Sequence, residues 1–269
     1  MSATVTGSRA GLTLAKSVFT RFPCTPSQTD GAAVGWAMTW APLAGFVVGA
    51  IGSGVFTLVR LPHRDDGSTQ GLAAVLAFAA IALVTGGLHL DGLADSADAL
   101  GVRGDHGAVR AAMKSPGVGA FGVAAVAFVI FADAAAVAAA CNHRLAVTAL
   151  VAGCVAGRLA VTWSCRPSVH AATDTGLGAW VAGTVPVGRA LFATAYAVVL
   201  VGGWTALWRR DDPLPALVVA WGALAAGVVA GELVRRFVVR RTGGLTGDVL
   251  GAVVECGALA AYIVAALAG

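Results

Sequence analysis

Charge is what this 269-residue chain has least of. Only 12% of its residues are Asp, Glu, Lys or Arg, against about a quarter in ordinary soluble proteins. With 58% apolar residues and a mean hydropathy of +0.81, that scarcity argues against a water-soluble globule and for a polytopic membrane protein. The five cysteines (Cys24, Cys141, Cys154, Cys165, Cys256) form no C-x-x-C pair and are odd in number, which excludes a disulfide frame or a zinc site and leaves buried thiols. Basic residues never interleave with aromatics in a patch, so the formal charge of +4 gives no support to nucleic-acid binding. No G-x-x-x-x-G-K-[ST] loop, Gly-x-Ser-x-Gly elbow or H-E-x-x-H pair occurs. Residues 1–20 lack the continuous apolar core of a cleavable signal peptide.

What remains is abundant apolar sequence and 36 glycines, a composition suited to close helix contacts in lipid. Crossing a bilayer takes about 20 apolar residues. Seven stretches qualify: 36–58, 71–90, 119–140, 145–164, 189–208, 214–233 and 249–268. Residues 1–10 read as a loose polar leader, 11–22 as a weakly amphipathic helix on the membrane surface with Lys16 and Arg21 toward lipid phosphates, and 27–35 as a turn. The expected fold is all-α: one membrane-embedded domain over 1–269, with seven transmembrane helices and an N-terminal interfacial helix. Lys and Arg divide 12 against 5 between alternate loops, which puts the richer side, and the N-terminus, in the cytoplasm. Trp36, Trp163, Trp204 and Trp208 fall near span ends, where aromatic rings anchor.

Against this background, three carboxylates within eight residues stand out in Gly86-Gly-Leu-His-Leu-Asp-Gly-Leu-Ala-Asp-Ser-Ala-Asp98. Asp91, Asp95 and Asp98 follow i, i+4, i+7 spacing, so on a helix they share one face and repel one another unless a cation relieves them. Helix capping explains one such acid but not three, and hard cations are held by carboxylates set this close. A second stretch, Thr242-Gly-Gly-Leu-Thr-Gly-Asp-Val-Leu-Gly251, repeats the Gly-Gly-Leu-x-x-Asp pattern and falls on the same predicted membrane face. There Asp248 reads equally as an N-cap of the last span or as a further ligand. The free N–H groups of 246–248 suit a phosphate, and Glu255, seven residues on, extends the acidic face inward. His89 adjoins the acids. Lys114 precedes a glycine-rich turn, 117–122, that can cradle a phosphate by charge and backbone N–H, while Arg110 reads as an ordinary border cation. Arg158 lies inside a span about 10 Å from the cytoplasmic border at ~1.5 Å per residue, a depth suited to gripping a phosphate. Asp133 lies deeper and is not expected to pair with it; Glu232 reads as a border ion pair with Arg235 and Arg236.

These stretches together resemble the cobalamin synthase (adenosylcobinamide-GDP ribazoletransferase) family. The resemblance rests on 86–98, on Lys114 with 117–122, and on 243–252; Thr20-Arg-Phe-Pro23 is similar to the family's N-terminal element, and Arg158 falls where the family has an arginine in a span. Asp133 and the loop 166–184 depart from the pattern. The resemblance implies a Mg²⁺-dependent enzyme of the bacterial cytoplasmic (inner) membrane with its active site facing the cytoplasm. It would join adenosylcobinamide-GDP to α-ribazole or its 5′-phosphate and release GMP. Homo-oligomers and association with other corrinoid-pathway enzymes are both left open.

Read onto that chemistry, Asp91, Asp95, Asp98 and Asp248 are the candidate metal ligands, and Asp98, Asp95 and His89 the candidate catalytic groups. Lys114, Arg158, Thr246, Gly243 and Gly244 are the candidate contacts to the diphosphate. A transporter with a coupling-ion site is the competing class, but its acids would sit near the bilayer midplane. A phospholipid-synthesising alcohol phosphotransferase would need Ala where Asp95 stands.

Overall fold

Glycine and proline punctuate the apolar runs, and the helices follow that punctuation. The computed structural model describes residues 2–25, 30–63 and 67–268, with side chains from residue 7 onward. In chain order the helices are α1 (Ser2–Phe19), α2 (Gly31–Thr39), α3 (Ala41–Arg60), α4 (Gln70–Thr85), α5 (Leu88–Gly101), α6 (His106–Met113), α7 (Ala120–Asn142), α8 (Ala146–Ser164), α9 (Leu177–Val181), α10 (Val187–Trp208), α11 (Pro213–Thr242) and α12 (Gly247–Leu267). Among the described residues there is no strand, only one isolated bridge between Ala171 and Leu245. Seven helical segments are long and apolar enough to cross a membrane, and they correspond one to one with the seven expected spans.

α8 is the hub. Nearly all of its residues are buried; α12 is mostly buried too, and the remaining spans keep broad exposed apolar faces for lipid. Its own side chains are mostly small, so neighbouring backbones come close; a Cβ on Gly157 would strike the carbonyl of Val254 in α12. Around α8 stand α3, α10, α11 and α12, with α4 and α7 outside them.

The boundaries differ from expectation in instructive ways. Residues 2–10 are no loose leader but the first half of α1, which ends at Phe19 and buries Ala10, Leu14, Ala15 and Phe19. The expected turn at 27–35 gives way to α2 from Gly31, which Asp30 caps by accepting from the Ala33 N–H at 2.8 Å; residues 26–29 lie outside the described residues, as does Arg64. The first span begins at Ala41, after a break at Trp40 with Pro42 in the following first turn. The second stops at Thr85, not at residue 90, because Gly86 and Gly87 both take left-handed backbone (φ 68° and 70°). The sixth runs to Thr242. Its apolar section ends near residue 233, but Val and Arg continue the helix until Gly243 (φ 78°) stops it, so Arg235, Arg236, Arg240 and Arg241 lie on a helix and not in a loop.

The five cysteines are free thiols. Glu232 does pair with Arg235 (2.7 Å) and Arg236 (2.6 Å), and also takes Arg166 (2.8 Å) from the loop after α8.

Candidate active site

The two Gly-Gly-Leu-x-x-Asp stretches turn out to be the same device used twice. α4 ends on left-handed Gly86 and restarts as α5; α11 ends on left-handed Gly243 and restarts as α12. Each restart carries its acid in the first turn, Asp91 in one and Asp248 in the other. α5 and α12 then cross at a pair of glycines. A Cβ on Gly92 would lie 2.8 Å from the Asp248 carbonyl oxygen and 3.0 Å from the Gly251 Cα; one on Gly251 would lie 2.9 Å from the Gly92 Cα. Backbone contact at this point is what brings the acids of α5 beside Asp248.

Asp91 is exposed, while Asp95, Asp98 and Asp248 are half-buried. Burial first, then the charges of Asp248, Asp91 and Asp98, push the Asp95 carboxyl up to about 6. The side chains of Asp91 and Asp95 make no hydrogen bond or ion pair with any described residue. Asp248 is not the cap of α12. Thr246 is: its Oγ1 accepts from the Val249 N–H at 3.2 Å and donates to the Asp248 carboxylate at 3.4 Å.

Asp98 differs from its neighbours. Its carboxylate accepts from the N–H of Gly119 (2.6 Å) and of Gly122 (2.8 Å), the first turn of α7. The glycine-rich turn expected to cradle a phosphate therefore spends these N–H groups on the chain's own carboxylate.

The basic candidates divide as well. Lys114 ends α6, exposed, and its charge bears on Asp248. Arg110 is more than a border cation: it donates to the Thr242 carbonyl at 2.7 Å, tying α6 to the end of α11, and lines a cavity with Lys114. Arg158, expected in an open pocket, is only 2% exposed and lines none of the cavities described below. Its Nη2 donates to His89 Nδ1 at 3.3 Å, leaving its Nε without a partner. An arginine cannot accept, so the His89 proton sits on Nε2. Burial and then Arg158 hold His89 well below its ordinary value, hence neutral, and the Phe19 ring stacks on it at 6.0 Å.

Below these residues Asp133 is buried with one oxygen unpaired; the charge of Glu255 bears on it, and Arg158 bears on Glu255. Asp133 and Arg158 form no ion pair. Gly243 and Gly244 shape the turn without lining a cavity: a Cβ on Gly243 would meet the His106 ring, and one on Gly244 the backbone of Ala171 and Ala172.

One site residue escaped the sequence. Arg21, assigned there to lipid phosphates, lies against Gly86: its N–H donates to the Val84 carbonyl at 2.7 Å, and a Cβ on Gly86 would collide with its side chain. It lines the same cavity as Asp91. The signal was present in the Thr20-Arg-Phe-Pro23 element.

Three cavities adjoin Asp91 or Asp248, and Asp95 and Asp98 line none of them. A lateral one of about 810 Å³ runs between α1, α5 and α7 and includes Arg21 and Asp91. A loop cavity of about 310 Å³ includes Arg110, Lys114, Thr175, Thr246 and Asp248. Between them a cleft of about 190 Å³ includes His89, Asp91 and Asp248. The arrangement can hold phosphate groups from two sides against a row of carboxylates.

No three Asp, Glu, His or Cys side chains among the described residues form a ready cage for a metal ion. The donor set nonetheless fits Mg²⁺. It is all oxygen, two of its carboxylates have no partner, and Mg²⁺ is usually bound by one or two carboxylates completed by water and substrate phosphate.

Comparison with known proteins bears on this geometry. The family model for cobalamin-5-phosphate synthase matches residues 11–266. An adenosylcobinamide-GDP ribazoletransferase of Frankia casuarinae is 37% identical over 252 residues, covering 90% of this chain and 88% of that protein. Enzymes of the same name from Bradyrhizobium diazoefficiens (36% identical; 96% and 93% covered) and Pseudomonas syringae pv. syringae (34%; 92% and 93%) are also similar. No solved structure matches. With the match running from α1 nearly to the end of α12, and so through both acid-bearing restarts, the chain belongs to the cobalamin-5-phosphate synthase family.

Proposed function

We propose that this chain is an adenosylcobinamide-GDP ribazoletransferase that works with Mg²⁺ at the membrane border. A ribose hydroxyl of α-ribazole, or of its 5′-phosphate, attacks the phosphorus bonded to cobinamide. The new P–O bond forms as the P–O bond to GMP breaks; GMP leaves with the electron pair, and the hydroxyl proton passes to a carboxylate. The observation that carries this reading is the Gly92–Gly251 crossing, which sets unpartnered carboxylates beside Asp248 with Arg21 on one side and Lys114 on the other.

Phosphoryl transfer asks mainly for positioning and charge neutralisation. Asp91 and Asp248 would hold Mg²⁺; when bound, the ion would neutralise charge on the diphosphate oxygens. Asp95 lines none of the three cavities, so its charge would reach the reacting groups through Asp91 and Asp248. Asp98 acts at one remove, fixing the start of α7 beside the acids. Lys114 and Arg21 take the two phosphates, and Thr246 orients Asp248. His89, neutral, offers a single N–H, and Arg158 fixes which nitrogen carries it.

The acid end also collects Arg103, Arg110, Lys114, Arg166 and Arg189, which supports a cytoplasmic orientation in a bacterial inner membrane. The deciding experiment supplies purified protein in bilayers with adenosylcobinamide-GDP, α-ribazole and Mg²⁺ and follows GMP. Release no faster than that of an Asp91→Asn variant would sink the reading.

A further inference from the structure

Arg158 is a buried charge with no carboxylate against it. It stands inside α8, about 9 Å from the end of that helix at ~1.5 Å per residue. An arginine keeps its proton even at this depth, so a charge inside a span needs a counter-charge. Yet Arg158 forms no ion pair with any described residue, and its Nε has no partner. Its Nη2 donates to His89 Nδ1, a nitrogen that brings no negative charge.

Two acids lie inside the spans, Asp133 on α7 and Glu255 on α12, and the helix contacts choose between them. α8 and α12 touch at a glycine: a Cβ on Gly157 would meet the Val254 carbonyl and lie 3.2 Å from the Val254 Cα. Arg158 and Glu255 are the next residues on each helix. Glu255 is about 12 Å along α12, close to the depth of Arg158, whereas Asp133 is about 20 Å along α7. The charge of Arg158 bears on Glu255 accordingly. Glu255 has no hydrogen bond or ion pair with any described residue. Asp248, Gly251 and Glu255 follow i, i+3, i+7 spacing and so share one side of α12. Asp248 stands with the acids. Gly251 lies against α5, where a Cβ would be 2.9 Å from the His89 carbonyl oxygen. Glu255 stands one turn further in, beside Arg158, and Arg158 returns to α5 through His89, which lines the cleft with Asp91 and Asp248.

We propose, on the ribazoletransferase reading above, that Glu255 is a positioning residue for the reaction, supplying the counter-charge that keeps the Arg158 guanidinium at His89. Arg158 in turn keeps the His89 proton on Nε2, the nitrogen it does not engage. The attraction acts over more than ion-pair distance, which the low dielectric inside a span permits. Without Glu255, the long Arg158 side chain turns toward the acids at the border, as basic side chains near a membrane surface do. His89 Nδ1 then loses its donor, and the ring is free to carry its proton on either nitrogen. Only the effect on catalysis rests on the ribazoletransferase reading; the placement of the proton does not.

The test uses full-length protein in bilayers, with its histidines isotope-labelled at nitrogen for magnetic resonance. His89 signals are identified by their loss in His89→Gln. Wild type should show His89 protonated on Nε2 alone. Glu255→Gln should add a population protonated on Nδ1 and lower kcat at least tenfold. Glu255→Asp, which keeps the charge, should restore the single Nε2 form and bring kcat within threefold of wild type. Asp133→Asn should leave the His89 signals unchanged. His89→Gln should itself be slowed at least tenfold, and adding Glu255→Gln to it should slow it less than twofold further, because the effect of Glu255 passes through His89. Glu255→Met replaces Glu255→Gln if that variant is not monodisperse. Wild-type His89 protonated on Nδ1, His89 signals that follow Asp133→Asn and ignore Glu255→Gln, or a Glu255→Gln loss of equal size in both backgrounds each overturns the proposal, the last marking a structural role only. Wild-type protein that releases no GMP removes the ribazoletransferase reading and the catalytic role with it, whereas the His89 signals, read without turnover, still decide whether Glu255 places the proton.

Discussion

The Gly92–Gly251 crossing makes a prediction whose size follows from the geometry. In Gly92→Ala, the new methyl group would sit 2.8 Å from the Asp248 carbonyl oxygen and 3.0 Å from two Cα atoms, all of them backbone. Comfortable carbon contacts need about 3.5–4.0 Å, so α5 and α12 must part by roughly 0.5–1 Å. The fold should survive. Overpacking of this kind costs about 1–3 kcal/mol, and Ala in place of Gly within a helix returns close to 1 kcal/mol. Catalysis should not, because a displacement of about 1 Å in a positioned site costs on the order of 100-fold. Gly92→Ala is therefore expected to be monodisperse, to melt within a few degrees of wild type, and to release GMP about 100-fold more slowly at saturating substrates. Gly54→Ala is the control, since nothing lies within 4 Å of its new methyl. A Gly92→Ala enzyme within threefold of wild-type kcat would refute the idea that this crossing sets the spacing of the acids.

Further outcomes follow from the acids and their partners. Asp91→Asn should abolish turnover yet leave the melting temperature in chelator unchanged or higher, because Asp91 has no partner to lose; Asp98→Asn should instead destabilise by about 1.5–3 kcal/mol and speed amide exchange at Gly119 and Gly122. Equal thermal shifts in the two variants would contradict this division. Without metal, folded Asp95 retains its proton up to about 6 while the unfolded chain loses it near 3.8. This group's contribution to stability is thus fully present below 3.8 and is lost as pH rises through about 6. Added Mg²⁺ should accordingly raise the melting temperature much more at pH 7 than at pH 5; an equal rise at both would count against the carboxylates as its ligands. Glu232→Gln, which leaves Arg166, Arg235 and Arg236 without their common carboxylate, should cost about 2–3 kcal/mol in chemical denaturation, with kcat near wild type in the folded fraction.

Much of this molecule was legible because lipid imposes a simple rule. Each apolar run of sufficient length became a span, and the spacing of Asp91, Asp95 and Asp98 put them on one helix. The shared Gly-Gly-Leu-x-x-Asp pattern pointed to the pairing of the two restarts. What stayed hidden depended on contacts between distant parts of the chain. Hydropathy cannot locate the stop at Gly86, since Leu88 and Leu90 continue the apolar run, nor the end of α11, since it reports where lipid ends and not where the helix ends. The duty of Asp98 is set by backbone N–H groups 21 and 24 residues away. Arg21 reaches Gly86 from the segment that follows α1. Arg158 was placed inside a span, but burial against His89 is a matter of packing around α8 that no single stretch reveals.

The early stop of α4 has a consequence for the lipid. The turn Gly67–Thr69 and α4 together form a rod of about 30 Å, close to the hydrocarbon thickness of a typical bilayer. The span therefore has no turn to spare, and α5 begins where the hydrocarbon ends. In a thicker bilayer the lipid would have to thin at this flank or the first turn of α5, with Asp91, would be drawn toward the acyl chains. Acyl-chain length is thus a variable that acts directly on the site.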